Sequence, residues 1–143
     1  MSGKTDKTRS RALQLVEGDD LNEPISDSVR AILDGHIILS RDIANHGRYP
    51  AIDLLGSVSR LFTSLADEAQ REAAAKVVRL LAAYADSKDA IDLGAYKAGS
   101  NAELDEALRV VPQVEQFLRQ PAEETVDREQ ALTQLLALAG VGL

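Results

Sequence analysis

The chain has 143 residues, 45% of them hydrophobic and 27% charged, a length and balance suited to one globular domain with a real core. A formal charge of -7 argues against a nucleic-acid binder held by phosphate neutralisation, and the lack of cysteine excludes disulfides and thiolate metal sites. No apolar run approaches the ~20 residues that span a bilayer, and the basic start MSGKTDKTRSRALQ has no apolar stretch behind it, so neither a membrane anchor nor a secretory signal is expected. A soluble, cytoplasmic protein is the expectation.

Residues 1–11 carry Lys4, Lys7, Arg9 and Arg11 without periodicity and read as a mobile basic arm. The run LQLVE then reads as a short buried strand, followed by the turn formers of GDDLNEP. Pro24 suits the first turn of a helix, Ile25, Val29, Ile32 and Leu33 recur at helical spacing, and Gly35 stands where a C-terminal cap belongs. HIIL is a second strand-like run. Strand, helix and strand over residues 13–39 form the pattern of a βαβ crossover with two parallel strands. Ser40 can cap a short helix through Ala44 that Gly47 ends.

Beyond Arg60 the texture becomes helical. Ser64 with Asp67 resembles a capping box, and Leu65, Ala69, Ala73, Val77, Leu80, Leu81 and Tyr84 mark one long amphipathic helix. After the loop GAYKAGS, Ser100 with Glu103 repeats the capping pattern before Leu104, Ala107, Leu108 and Val111. Pro112 starts or kinks a helix running toward Arg119, Pro121 breaks it, and a last helix spans about Val126 to Ala139 with Gly140 behind.

Several motifs invite chemistry and fail on context. SGKT at residues 2–5 matches the end of a phosphate-binding loop, but no strand or first glycine precedes it and a polar stretch follows. Glu17, Asp19, Asp20 and Glu23 suggest an oxygen-ligand cation site, yet they lack calcium-loop spacing and read as acids beside a helix N-terminus. His36 and His46 have no acid–nucleophile set around them and read as structural residues. No metal site is expected.

The segment RYPAIDLLGSVSR is different, because it sits inside an ordered series: VEGDDLNEPI, LDGHIILSR, GRYPAID and SVSR, with LGAYKAGSNAELDEAL later. On those pieces, over roughly residues 15–120, the chain resembles the C-terminal portion of the flagellar and type III secretion export ATPases, relatives of the rotary ATP synthase catalytic subunits. The resemblance implies a mainly α fold, with a C-terminal helical bundle domain preceded by a remnant βαβ unit of a RecA-like ATPase core. It divides the chain into a leader at 1–14 that does not look like the family, the end of the ATPase core at 15–61, and the helical domain at 62–143.

The same resemblance implies roles at the site. Tyr49, with Pro50, would pack on the adenine of its own subunit's ATP, a flat face suiting a base in an apolar pocket. Arg60 would act in trans as an arginine finger toward the γ-phosphate of ATP/Mg in a neighbouring subunit of a hexamer. From the residues alone, Tyr49 is a turn aromatic stiffened by Pro50 and Arg60 one half of a surface ion pair. Expected partners are secretion chaperones and cargo, a central stalk protein and the membrane export apparatus, to which the ATPase would be peripheral; no nucleic acid is expected. The family's phosphate-binding loop, Mg²⁺-holding Asp and catalytic Glu lie upstream of the matched pieces, so the chain alone is expected not to hydrolyse ATP. Two other readings stay open: a stand-alone helical interaction module without a nucleotide role, and a small metal-dependent enzyme on Asp19, Asp20 and Glu23. A βαβ pair outside its larger sheet exposes strand edges, so residues 62–139 are expected to carry the stability.

Overall fold

A computed structural model of the chain describes residues 24–141 together with 13, 14, 16 and 22. Two compact units are present, Met1–Leu33 and Asp34–Leu143.

In the first unit, α1 spans Pro24–Ile32. Pro24 opens it, where a missing N–H costs nothing, and its carbonyl accepts from Ser28 Oγ at 2.7 Å. Gln14 Nε2 donates to Ser26 Oγ at 3.3 Å. Leu13, Gln14 and Val16, the described residues of the expected first strand, carry no strand structure; the rest of that run lies outside the described residues. The acidic loop residues Glu17, Asp19, Asp20 and Glu23 and the SGKT tetrapeptide lie outside them too.

The second unit begins with β1 (Gly35–Leu39), α2 (Arg41–Asn45) and β2 (Ile52–Ser59). Ser40 caps α2, accepting from Ile43 N, as its sequence position suggests. Gly35 does not cap α1; it opens β1. The strands pair antiparallel, with Gly35 opposite Ser59, His36 opposite Val58, Ile38 opposite Asp53 and Leu39 opposite Ile52. The parallel partner expected for β1 in residues 13–17 lies largely outside the described residues; among the described residues β1 pairs with β2. Residues 40–51, which include α2, link the two strands. Ser40 N bonds Ala51 O at 2.9 Å and closes the link.

The register breaks between His36 and Ile38, where β2 loops out. Asp53 organises the outloop by accepting from Gly56 N at 3.0 Å, and Ser57 Oγ donates to Asp53 O and accepts from Ile38 N. That bulge hid β2 in the sequence. Asp53 and Gly56 interrupt the period-two alternation by which a half-buried strand is recognised.

α3 (Phe62–Leu65) is a single turn, and α4 (Glu68–Asp92), α5 (Ala102–Phe117) and α6 (Arg128–Ala139) form the helical bundle. Asp67, not Ser64, caps α4, accepting from Gln70 N at 2.7 Å, while Ser64 Oγ donates to Leu61 O. Leu65, expected on the buried stripe, lies in α3 and is 70% exposed. Asn101, not Ser100, caps α5, accepting from both Glu103 N and Leu104 N. Asp127 caps α6, and Gly140 ends it in the left-handed region at φ 66, where a side chain would be strained.

Ala73, Val77 and Leu80 from α4, Leu104, Ala107, Val110, Val111 and Val114 from α5, and Leu136 and Ala139 from α6 make one buried cluster. Their spacings are those of one helix face, so the stripe that directed the sequence reading is the packed one. Pro112 lies inside α5 rather than starting a helix. An interior proline costs ~3 kcal/mol. Val110, Val111 and Val114 beside it are buried to 4% exposure or less. At roughly 1.5–3 kcal/mol for each such side chain, their burial exceeds the cost and the helix runs through.

α4 and α5 pack antiparallel, with Lys76 Nζ 2.9 Å from Glu106 and Arg79 Nε 2.9 Å from Glu103 across the seam. The hydrogen bond from Lys76, reinforced by the charges of Lys76, Arg109 and Arg79, holds the Glu106 carboxyl below its ordinary value. In the connecting loop Asp105 accepts from Tyr96 Oη at 2.9 Å and from Gly99 N at 2.9 Å, fixing GAYKAGS on the first turn of α5. The mainly α class, with a small β unit ahead of a helical bundle, is borne out.

Candidate functional site

The segment from Arg48 to Arg60 is the turn before β2, the strand itself and the residue after it. Tyr49 and Pro50 stand at one end of the strand and Arg60 at the other, so the structure does not bring them together.

At the first end, the Tyr49–Pro50 peptide is cis and the Tyr49 ring is 60% exposed. Tyr49 O accepts from Gln120 N at 2.9 Å, which ties the turn to the chain leaving α5. Between turn and helices lies an open cleft of about 720 Å³. Pro50, Ile52, Phe117, Leu118, Val126, Ala131, Ala137 and Leu138 supply apolar walls, and Gln113, Gln116, Gln120, Gln134, Arg119 and Glu124 supply polar groups. Apolar walls with several amides suit a flat heteroaromatic ligand, since each amide both donates and accepts. Pro50 lines this cleft; Tyr49 is adjacent to it in the chain.

The α5 wall is a face the sequence reading passed over. Gln113, Gln116 and Phe117 recur at helical spacing beside the aliphatic stripe, and Gln120 follows in the chain leaving the helix. Arg48 was missed as well. It is 8% exposed, its Nε lies 3.0 Å from Glu115 Oε2, and its Nη2 donates to Ile52 O at 3.1 Å.

At the second end, Arg60 is exposed, and among the described residues its guanidinium has neither an ion pair nor a hydrogen bond. Its backbone, by contrast, is fixed. Arg60 N donates to Asp34 O at 2.9 Å, and Ser59 before it pairs with Gly35. A Cβ on Gly35 would lie 2.7 Å from Val58 O, so the close approach of the strands requires glycine there. The result is a free cation on a held base. An arginine committed to a local carboxylate could not offer its fork to anything else.

The two histidines do no comparable work. His46 Nδ1 lies 2.8 Å from Asp42 O and 3.7 Å from Asp42 Oδ1 on an exposed helix end. The buried Nε2 of His36 has no partner among the described residues. No group of three or more His, Cys, Asp or Glu that could hold a metal ion exists among the described residues, and no described helix is long and apolar enough to cross a membrane.

The chain thus joins a strand that ends at an exposed arginine to a helical bundle. Comparison with known proteins bears on both parts. Residues 10–59 match the family model of the ATP synthase alpha/beta family, nucleotide-binding domain, and residues 66–137 match that of the T3SS EscN ATPase C-terminal domain. The chain belongs to the EscN-type ATPase family, as its ordered motifs imply. It is 47% identical over 126 residues to the flagellum-specific ATP synthase of Bacillus subtilis, covering 88% of this chain and 29% of that protein. It is 43% identical over 121 residues to the SPI-2 type 3 secretion system ATPase of Salmonella typhimurium, covering 85% and 28%. The assembled ATPase EscN from the enteropathogenic E. coli type III secretion system superposes with a TM-score of 0.83 at 34% identity, over 87% of this chain and 30% of that one. EscN in complex with its central stalk EscO gives 0.77 at 33% identity, over 81% and 29%. The chain spans under a third of the length of the curated relatives it matches.

Proposed function

We propose that this chain acts as the C-terminal part of a protein-export ATPase, serving two nucleotides at once. The cleft beside Pro50 receives the adenine of the subunit's own ATP, with the Tyr49 ring closing over its mouth. Arg60 extends to the phosphates of ATP held by the next copy around a hexameric ring. Residues 15–61 then serve as the end of the nucleotide-binding core, and residues 62–143 as the domain that meets the export machinery.

The observation that carries this reading is the state of Arg60: an exposed, unpaired guanidinium among the described residues, on a backbone pinned to Asp34 and to the Gly35 pairing. When bound, Mg·ATP supplies a γ-phosphoryl group whose charge spreads over its oxygens during transfer, and a planar fork with several donors suits that charge. The location of Arg60 at the opposite end of β2 from the cleft fits a role toward a different nucleotide from the one whose base lies there. The apolar walls and amides of the cleft fit a purine, while nothing among the described residues gathers acidic ligands for the cation.

The acidic bundle favours partners with basic, helix-presenting surfaces; EscN is seen in complex with its central stalk EscO, and a stalk protein, export chaperones and cargo are the candidates for this chain. The work would take place in the cytoplasm, at the periphery of the membrane export apparatus.

A chimera tests the nucleotide reading. The aligned 126 residues of the Bacillus subtilis flagellum-specific ATP synthase are replaced by those of this chain. ATP turnover is expected, and Arg60→Ala is expected to lower it by about a thousandfold, the lower range for arginine fingers. Full activity in Arg60→Ala would refute the assignment.

A further inference from the structure

Arg48 has no role in the reading above, yet it is the most buried cation the described residues contain, at 8% exposure. Burying a guanidinium is costly unless its donors are paired; Nη1 is buried without a partner among the described residues, and the partners of the other two nitrogens show what the group does. Nε reaches Glu115 on α5 at 3.0 Å, and Nη2 reaches Ile52 O, four residues along its own turn, at 3.1 Å. Arg48 N donates to Ile43 O of α2 at 3.3 Å. One planar group thus bridges the start of β2 and the α5 helix.

These are the two walls of the cleft. Pro50 and Ile52 line one side, and Gln116 and Phe117, the residues directly after Glu115, line the other. Beyond them Gln120 N donates to Tyr49 O at 2.9 Å, a second cross-link between the same elements. Two fixed links on one turn leave the walls little freedom to part. The rest of the contact between β unit and bundle lacks any comparable buried ion pair among the described residues.

We infer that Arg48 is a positioning residue: through its ion pair with Glu115 it sets the width of the cleft, and so the grip on the nucleotide base. The inference rests on the proposed adenine site. It concerns ground-state binding of a remote part of the substrate, so its loss raises KM and leaves kcat in place. Arg48 touches no reacting atom.

Arg48→Met is the clean perturbation, because the aliphatic stem keeps its packing and half-exposed Glu115 is left to water. Two readouts are needed. In the 143-residue chain, hydrogen exchange at the Gln120 amide is expected to quicken by about tenfold, as the neighbouring link loosens. In the chimera, KM for ATP is expected to rise by about tenfold with kcat changed less than twofold, and the preference for ATP over UTP to narrow; this is the scale of one charged hydrogen bond. Arg48→Lys, which keeps the charge toward Glu115 but not the fork, should recover part of the loss.

Phe117→Ala in the same chimera separates the failures. If Phe117→Ala raises KM and Arg48→Met does not, the inference is overturned and the adenine site stands. If neither raises KM, the adenine site falls and the inference with it. Should Arg48→Met lose its helical circular dichroism, Glu115→Gln, which removes the ion pair from the other side, decides: a raised KM at constant kcat supports positioning, and an unchanged KM refutes it.

Discussion

Gly35→Ala is the sharpest structural test of how the site is held. The added Cβ would meet Val58 O at 2.7 Å and Ser59 Cα at 3.2 Å, against 3.4 Å for the start of ordinary contact. Both obstacles are backbone, so nothing can rotate away, and the strands must part by roughly 0.7 Å at the pair preceding Arg60. Overpacking of this kind costs about 1–3 kcal/mol, and loss of the Arg60 N to Asp34 O bond adds about 1 kcal/mol. Amide exchange at Arg60 should therefore quicken by at least about tenfold. With Arg60 in its proposed role, displacement by most of an ångström should also slow the chimera, by about ten- to a hundredfold in kcat. Gly56→Ala is the control. Its Cβ would approach Asp53 Oδ2 at 2.8 Å and Ile38 Cδ1 at 3.1 Å, both side-chain atoms that can yield, so a loss below about 1 kcal/mol is expected. Wild-type exchange and turnover in Gly35→Ala would refute the claim that close strand approach fixes Arg60.

Leu80→Ala removes a fully buried side chain from the centre of the bundle and should destabilise the chain by about 3–5 kcal/mol, whereas Leu93→Ala, 83% exposed, should change stability by under about 0.5 kcal/mol; thermal denaturation followed by circular dichroism compares them. The Glu106 carboxyl has its folded-state pKa lowered, so its contribution to stability is present above the ordinary value of 4.5 and is lost as pH falls through the lower folded value. The Tm difference between wild type and Glu106→Gln should therefore be largest near neutral pH and close as the medium is acidified past that point; a gap that widens in acid would contradict the ion-pair account. Asn101→Ala, which removes the acceptor for Glu103 N and Leu104 N, should cost about 1 kcal/mol in the same melts.

Much of the helical half was legible from one signal. Ala73, Val77, Leu80, Leu104, Ala107 and Val111 stand at helical spacing in the sequence and meet in the core. Caps were harder to assign, because Ser64, Asp67, Ser100 and Asn101 are all competent residues and only the backbone decides which one faces the open amides. Pro112 misled for a related reason: a local breaker was judged without the buried valines that outweigh it. The strand pairing was not legible. β1 and β2 are related by a long-range register with an outloop, and Asp53 and Gly56 disguise β2 as an irregular loop.

At the candidate site, the sequence singled out Tyr49, Pro50 and Arg60 only through resemblance to the export ATPases. The residues that surround and brace them, Phe117, Glu115 and Arg48, come from an element some seventy residues away or from a buried cation that looks like a surface one in the sequence. Burial and pairing are tertiary facts, and no local pattern announces them.

Subunit mixing tests the central claim, action of Arg60 across a boundary between copies. One chimera carries Arg60→Ala with its phosphate cradle intact; the other keeps Arg60 and carries a disabled cradle in the portion supplied by the relative. Each alone should be inactive. Mixed in equal amounts before assembly, they should recover turnover at about a quarter of the boundaries, those joining an intact cradle to an intact arginine. No recovery from subunits shown to have assembled together would mean that Arg60 serves only its own nucleotide, or none, and would contradict the account.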